Sequence, residues 1–163
     1  MVGILAQIQF SLPSLVPITM QTLGIYLIGL LLKPRLAFIS ALLYISMGAV
    51  GLPVYSGFSG GLAIILGPTG GYLFSFPIMA LVISLIIKTH HPKFFKLIAL
   101  ITGTLICYLI GTLWFMYTME QTLLPTLTMC VLPFLPGDVI KIMLANILSN
   151  KLAGKLKTQE TKK

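Results

Sequence analysis

Hydrophobic residues in this chain run in long unbroken stretches, without the alternation that marks a half-buried strand or helix. Breaking the sequence at charges and at Pro/Gly clusters leaves six apolar segments, at 1–12, 19–32, 36–51, 70–87, 94–118 and 137–152. A hydrocarbon core of ~30 Å takes about 20 helical residues at ~1.5 Å each, so the middle four segments are of spanning or slightly short length. The first covers only about half the distance, so its helix is expected to be shortened. The last is also short and is closed off at its start by Pro133 and Pro136. In lipid only a helix satisfies its own backbone polar groups, so all six segments are expected to be helical. The fold class predicted is an all-α integral membrane protein of six transmembrane helices. Residues 1–152 form one domain and 153–163 a basic tail; no internal repeat is present.

Composition agrees with a lipid solvent. Of 163 residues, 57% are hydrophobic and 9% charged, with mean hydropathy +1.02. A soluble domain carries about 25% charged residues and could not cover its surface with so few. The net charge of +8 does not point to nucleic acid, because the basic residues sit at the edges of apolar runs and not on a polar face. Cys107 and Cys130 lie in or beside apolar stretches and read as reduced small hydrophobes. No metal-ligand spacing exists, and no cofactor is expected. The segment Met1 to Phe10 lacks the basic start and small-residue cleavage site of a secretory signal.

The basic residues set an orientation, since Lys and Arg accumulate on the cytoplasmic side. Lys33 and Arg35 separate segments two and three; Lys88, Lys93 and Lys96 separate four and five; Lys151, Lys155, Lys157, Lys162 and Lys163 follow segment six. The alternate connections carry no Lys or Arg, and one carries Glu120. The expectation is a cell-membrane protein with both termini cytoplasmic and with Ser11 to Ile18, Leu52 to Thr69 and Met119 to Pro136 outside.

One basic residue, Lys141, falls inside a segment, three residues after Asp138, the only acid within an apolar run. Intramembrane charges cost about 2.5–3.5 kcal/mol on insertion scales and are functional candidates for that reason. At i and i+3 the two share a helix face, and Asp138 follows Pro136-Gly137 where a helix dipole favours an anion. Three readings stand: mutual neutralisation that anchors the helix, a site for a ligand presenting both N–H and C=O groups, or a proton relay, which lacks a second intramembrane acid. A second constellation is the connection Gly51-Leu52-Pro53 to Leu66-Gly67-Pro68-Thr69-Gly70-Gly71-Tyr72. Gly70 and Gly71 open segment four, whose first N–H groups could hold a ligand carboxylate; a re-entrant packing loop is the alternative. Gly103, Cys107 and Gly111 form a small-residue stripe expected to pack closely on a neighbouring helix. Trp114, Phe115 and Tyr117 read as an interfacial belt, and His90 and His91 as part of a solvated basic loop. Ser56, Ser59 and Thr69 have no base on their side of the membrane, so hydrolase chemistry lacks a partner.

Four runs resemble a known family: Pro17-Ile18-Thr19-Met20-Gln21-Thr22, Gly48-Ala49-Val50-Gly51-Leu52-Pro53-Val54, Leu66 to Leu73, and Leu132-Pro133-Phe134-Leu135-Pro136-Gly137-Asp138-Val139-Ile140-Lys141. They look like the BioY family, the biotin-binding substrate components of energy-coupling factor (ECF) vitamin transporters. The match runs in order from about Gln7 to Leu152. The resemblance implies six helices, cytoplasmic termini, and a biotin pocket near the outer face with Asp138 and Lys141 among its contacts. It also implies delivery by toppling in the membrane, with a transmembrane coupling protein and two cytoplasmic ATPases as partners, and no enzymatic step. Two departures stand out. The first helix of the family is longer, so either the start is misassigned or docking differs. No Lys or Arg lies between Leu36 and Ile87, so Thr69, the Gly70 and Gly71 amides, Tyr72 or Gln21 would replace a basic contact to the biotin carboxylate. The competing readings are a component for another small vitamin, an integral-membrane enzyme using Asp138 as acid or base, and a purely structural subunit.

Overall fold

A computed structural model describes residues 1–10, 17–89 and 93–160, with the side chains of Phe10, Lys93 and 153–160 outside the description. Among the described residues the chain folds into helices α1 Val2–Ala6, α2 Gln21–Leu31, α3 Pro34–Ala49, α4 Leu62–Leu66, α5 Gly70–Thr89, α6 Lys93–Met119, α7 Leu123–Cys130 and α8 Leu135–Glu160. A single 3₁₀ turn covers Ser56–Phe58. Strands β1 Gln9–Phe10 and β2 Ile18–Thr19 pair antiparallel, Gln9 opposite Thr19.

The predicted segment boundaries hold within a few residues for α2, α3, α5 and α6, and the first helix is indeed short. One expectation needs correction. The first segment is not helical throughout: after α1 it turns into β1, and Gln7, which also donates back to the Gly3 carbonyl, and Gln9 send their amides across to the 55–59 region. The connections after α3 and α6 each contain a short helix, α4 and α7.

Among the described residues, α5 and α6 are each long and apolar enough to cross a membrane, and α7 with α8, bent by 49° at their break, make a third candidate. Helices α2 and α3, at 11 and 16 residues, are shorter apolar elements. The outer face of α6 shows what solvent it meets: Ile101, Leu105, Leu109 and Leu113, four residues apart, are 44–62% exposed. That row is inverted relative to a water-soluble protein.

Lipid tails are as apolar as leucine, so helices here associate by close packing of small residues. The glycine stripe of α6 does this. A Cβ on Gly103 would lie 2.7 Å from the Ile83 side chain of α5, and one on Gly111 would lie 2.3 Å from the Tyr72 ring. Gly29 of α2 brings that helix against the same Ile83, at 2.8 Å. Polar side chains add pins: Tyr26 and Thr104 share a hydrogen bond of 2.6 Å between α2 and α6, and Ser84 donates to the Leu32 carbonyl at 2.6 Å. The interfacial-belt expectation is corrected in part. Phe115 is buried in a small core with Cys130 and Phe134, and Trp114 packs on Phe74; Tyr117 alone of the three is fully exposed. His90 and His91 lie outside the described residues.

Candidate functional site

The packing of α2, α5, α6 and α8 leaves a cavity of about 270 Å³, bounded on its remaining side by β1, β2 and the 55–69 segment. One wall is charged. Pro136-Gly137 sit in the first turn of α8, and Asp138 follows, where unpaired helix N–H groups favour an anion. One turn later Lys141 reaches back to it, Nζ to Oδ1 at 2.8 Å. Lys141 also donates to Thr22 Oγ1 of α2 at 3.1 Å, and the Tyr108 hydroxyl of α6 donates to Asp138 Oδ2. Both charges are buried, 5% and 3% exposed, yet both line the cavity. Removing a charge pair from water is costly unless the geometry is good and further hydrogen bonds satisfy the remaining valences. Tyr108 and Thr22 supply these without covering the pair, so the ammonium and the carboxylate retain capacity toward the cavity.

The middle is apolar, formed by Tyr26, Leu73, Phe76, Met79, Ile64 and Phe134. The other wall is polar but neutral. Thr19 donates to Gln21 Oε1 at 2.9 Å, and Gln21 Nε2 donates to the Tyr44 hydroxyl at 2.7 Å, which passes its own proton to the Val54 carbonyl at 3.0 Å. This chain of bonds ties the start of α2 to the segment after α3. Tyr55, 1% exposed, donates to the Ile45 carbonyl at 2.6 Å, and burial pushes its hydroxyl up to about 12, so it remains a donor at neutral pH. Gly57 and Phe58 take positive φ of 69° and 54°, turning the backbone so that the Phe58 N–H meets Gln7 Oε1 at 2.8 Å. Gln7 Nε2 donates to the Tyr55 carbonyl at 3.0 Å and Ser56 donates to Gln9 Oε1.

Of the residues singled out in the sequence, Asp138, Lys141, Gln21, Thr69 and Tyr72 line this one cavity. Gly70 and Gly71 are not among the lining residues. The Gly70 N–H bonds to the Gly67 carbonyl at 3.0 Å, and a Cβ at Gly71 would fall 2.2 Å from Trp114 Cβ. These glycines let α5 start tightly against α6. The Tyr72 ring faces the cavity while its hydroxyl donates to the Cys130 carbonyl at 3.1 Å. Thr22, Tyr108 and Gln9 were missed. Tyr108 and Thr22 are polar residues one position from ones already noted, Cys107 and Gln21, and a search for groups able to satisfy the Asp138–Lys141 pair would have raised them. Among the described residues no group of three or more His, Cys, Asp or Glu could hold a metal ion.

A family model described as "BioY family" matches residues 1–158. A probable biotin transporter of Pyrococcus horikoshii is 41% identical, the alignment covering 91% of this chain and 87% of the relative. The biotin transporter of Thermotoga maritima is 30% identical over 84% of this chain and 80% of its own. Among solved structures, the S-component for biotin from an ECF-type ABC transporter superposes with a TM-score of 0.87 at 31% identity, covering 94% of this chain and 85% of that one.

Proposed function

The chain belongs to the BioY family, and we propose that it is the membrane-embedded component that captures biotin at the outer face for uptake. It is a transport protein, not an enzyme. The single observation that carries the choice of ligand is the buried Asp138–Lys141 pair at one wall of an otherwise apolar cavity. Biotin's ureido ring offers two N–H donors beside one carbonyl acceptor. Asp138 takes the N–H groups and Lys141 donates to the carbonyl, while the thioether ring and alkyl chain lie against Phe76, Leu73 and Met79. Gln21, Thr69 and Tyr72 complete the site; Gly70 and Gly71 act through helix packing.

The C-terminus is cytoplasmic in this reading, and residues 1–152 form the membrane domain, with 153–163 as a basic tail; α1, five residues long and held to the 55–58 region through Gln7, is too short to add a sixth span. The asymmetry of Lys and Arg supports the orientation. The likeness to an ECF-type S-component supports a transmembrane coupling protein and two cytoplasmic ATPases as partners. Titration calorimetry of the detergent-purified chain with biotin, thiamine and riboflavin tests the ligand. Saturable binding of biotin alone is expected, and preference for another vitamin would overturn the assignment.

A further inference from the structure

Among the described residues the cavity contains one cation, Lys141, and that cation is already matched by Asp138 at 2.8 Å. The other ten Lys and Arg residues of the chain lie in the 33–35, 88–96 and 151–163 regions, and none of those whose side chains are described lines the cavity. The site is therefore electrically neutral before the ligand enters, although biotin brings a carboxylate. The polar groups away from the charged wall, those of Gln9, Ser56, Ser59 and Thr69, are amides and hydroxyls. The Thr69 hydroxyl has no partner among the described residues, which leaves a donor and an acceptor available at the cavity surface.

We propose that the acid end of the ligand is held by neutral donors alone, so that the site also takes biotin derivatives whose tail ends in an amide or an alcohol. This rests on the biotin reading above. A carboxylate bound by Lys or Arg pairs two full charges, and its replacement by an amide leaves the cation uncompensated in a shielded site, which is costly. A carboxylate bound by hydroxyls and amides loses only the charge assistance of those bonds on the same change, because an amide oxygen accepts from the same donors and no ion is left unpaired. Discrimination between biotin and its primary amide is accordingly within about tenfold here, whereas a cation-held tail would discriminate by about a hundredfold or more.

Calorimetric competition on the purified full-length chain tests this, with biotin, biotinamide and biotinol as ligands. Dissociation constants within about tenfold of one another support the proposal. Tight biotin binding with amide and alcohol each weaker by about a hundredfold overturns it and leaves the biotin assignment standing; no biotin binding overturns both. Lys141→Met supplies a second reading. If Lys141 serves the ring, biotin and biotinamide weaken together and their ratio is unchanged. If Lys141 holds the acid, a large ratio in the parent collapses toward one. Thr69→Lys places a cation at the neutral wall and is expected to widen the preference for biotin by about tenfold.

Discussion

Replacing Asp138 by Asn and Lys141 by Met, singly and together, separates recognition from anchoring. Each single change removes one member of a pair whose side chains are 6% and 4% exposed. Breaking a buried pair by one partner costs about 3–5 kcal/mol of stability, because the other charge is left uncompensated. Asp138→Asn leaves Lys141 with Thr22 as its remaining acceptor; Lys141→Met leaves Asp138 with the Tyr108 hydroxyl. The double variant contains no orphaned charge, so its melting temperature is expected to lie closer to the parent than either single variant's. Binding moves the other way. A charge-assisted hydrogen bond in a shielded site contributes about 1.5–3 kcal/mol, so Asp138→Asn weakens biotin by about 10- to 150-fold, and the double variant stays at least as weak. Unfolding can be followed by fluorescence of Trp114, the chain's one tryptophan, and binding by calorimetry. A double variant that folds well and binds biotin like the parent would reduce the pair to an anchor and refute the site.

Three further outcomes are expected. Cysteine introduced at Phe58, which is 72% exposed, should react with an impermeant maleimide on intact cells, and cysteine at Lys88 only after permeabilisation; the reverse pattern would invert the proposed topology. Gly71→Leu drives a side chain into Trp114 and should destabilise α5 against α6 by about 1–3 kcal/mol, read as a lower melting temperature; an unchanged melting temperature would remove the close-packing role. Gln7→Leu removes the amide bonded to the Tyr55 carbonyl and the Phe58 N–H, and should raise the biotin dissociation rate severalfold with stability altered by about 1 kcal/mol or less per bond lost.

The chain showed its solvent, its long helices and its charged pair openly, because each is written in contiguous or i, i+3 sequence. Asp138 and Lys141 stood out through the cost of charge in an apolar run, and Gly103 and Gly111 through their spacing. What was hidden depends on residues far apart. Tyr108 reaches Asp138 across 30 positions and Lys141 reaches Thr22 across 119, and no local pattern announces either bond. Gly70 and Gly71 could be read two ways for a related reason. Free N–H groups at a helix start suggest an anion site, but the same glycines can equally be spent on approach to another helix, and only the position of Trp114 decides between them. The short first segment signalled its inability to span, while the use of Gln7 and Gln9 as cross-links depended on a partner segment some 50 residues away.

The two polar walls differ in how they are held, and this assigns them different parts in capture. The charged wall is built on α2, α6 and α8: glycine contacts too tight for a methyl group hold α2 and α6 against α5, the Tyr26–Thr104 bond joins α2 to α6, and Tyr108–Asp138 and Lys141–Thr22 join α8 to both. Its groups are oriented before the ligand arrives, so binding there carries little reorganisation cost. The neutral wall is made partly of β1 and the 55–59 segment, joined by Gln7 and Gln9 through a few neutral hydrogen bonds. Such bonds contribute about 0.5–1.5 kcal/mol each, so β1 can part from the 55–59 segment, itself anchored in the core by Tyr55, at a small fraction of the cost of unfolding the helices. Affinity then follows from the charged wall and exchange rate from the neutral one. The same division explains why Asp138→Asn is expected to shift the equilibrium, while Gln7→Leu is expected to act chiefly on the rate of release.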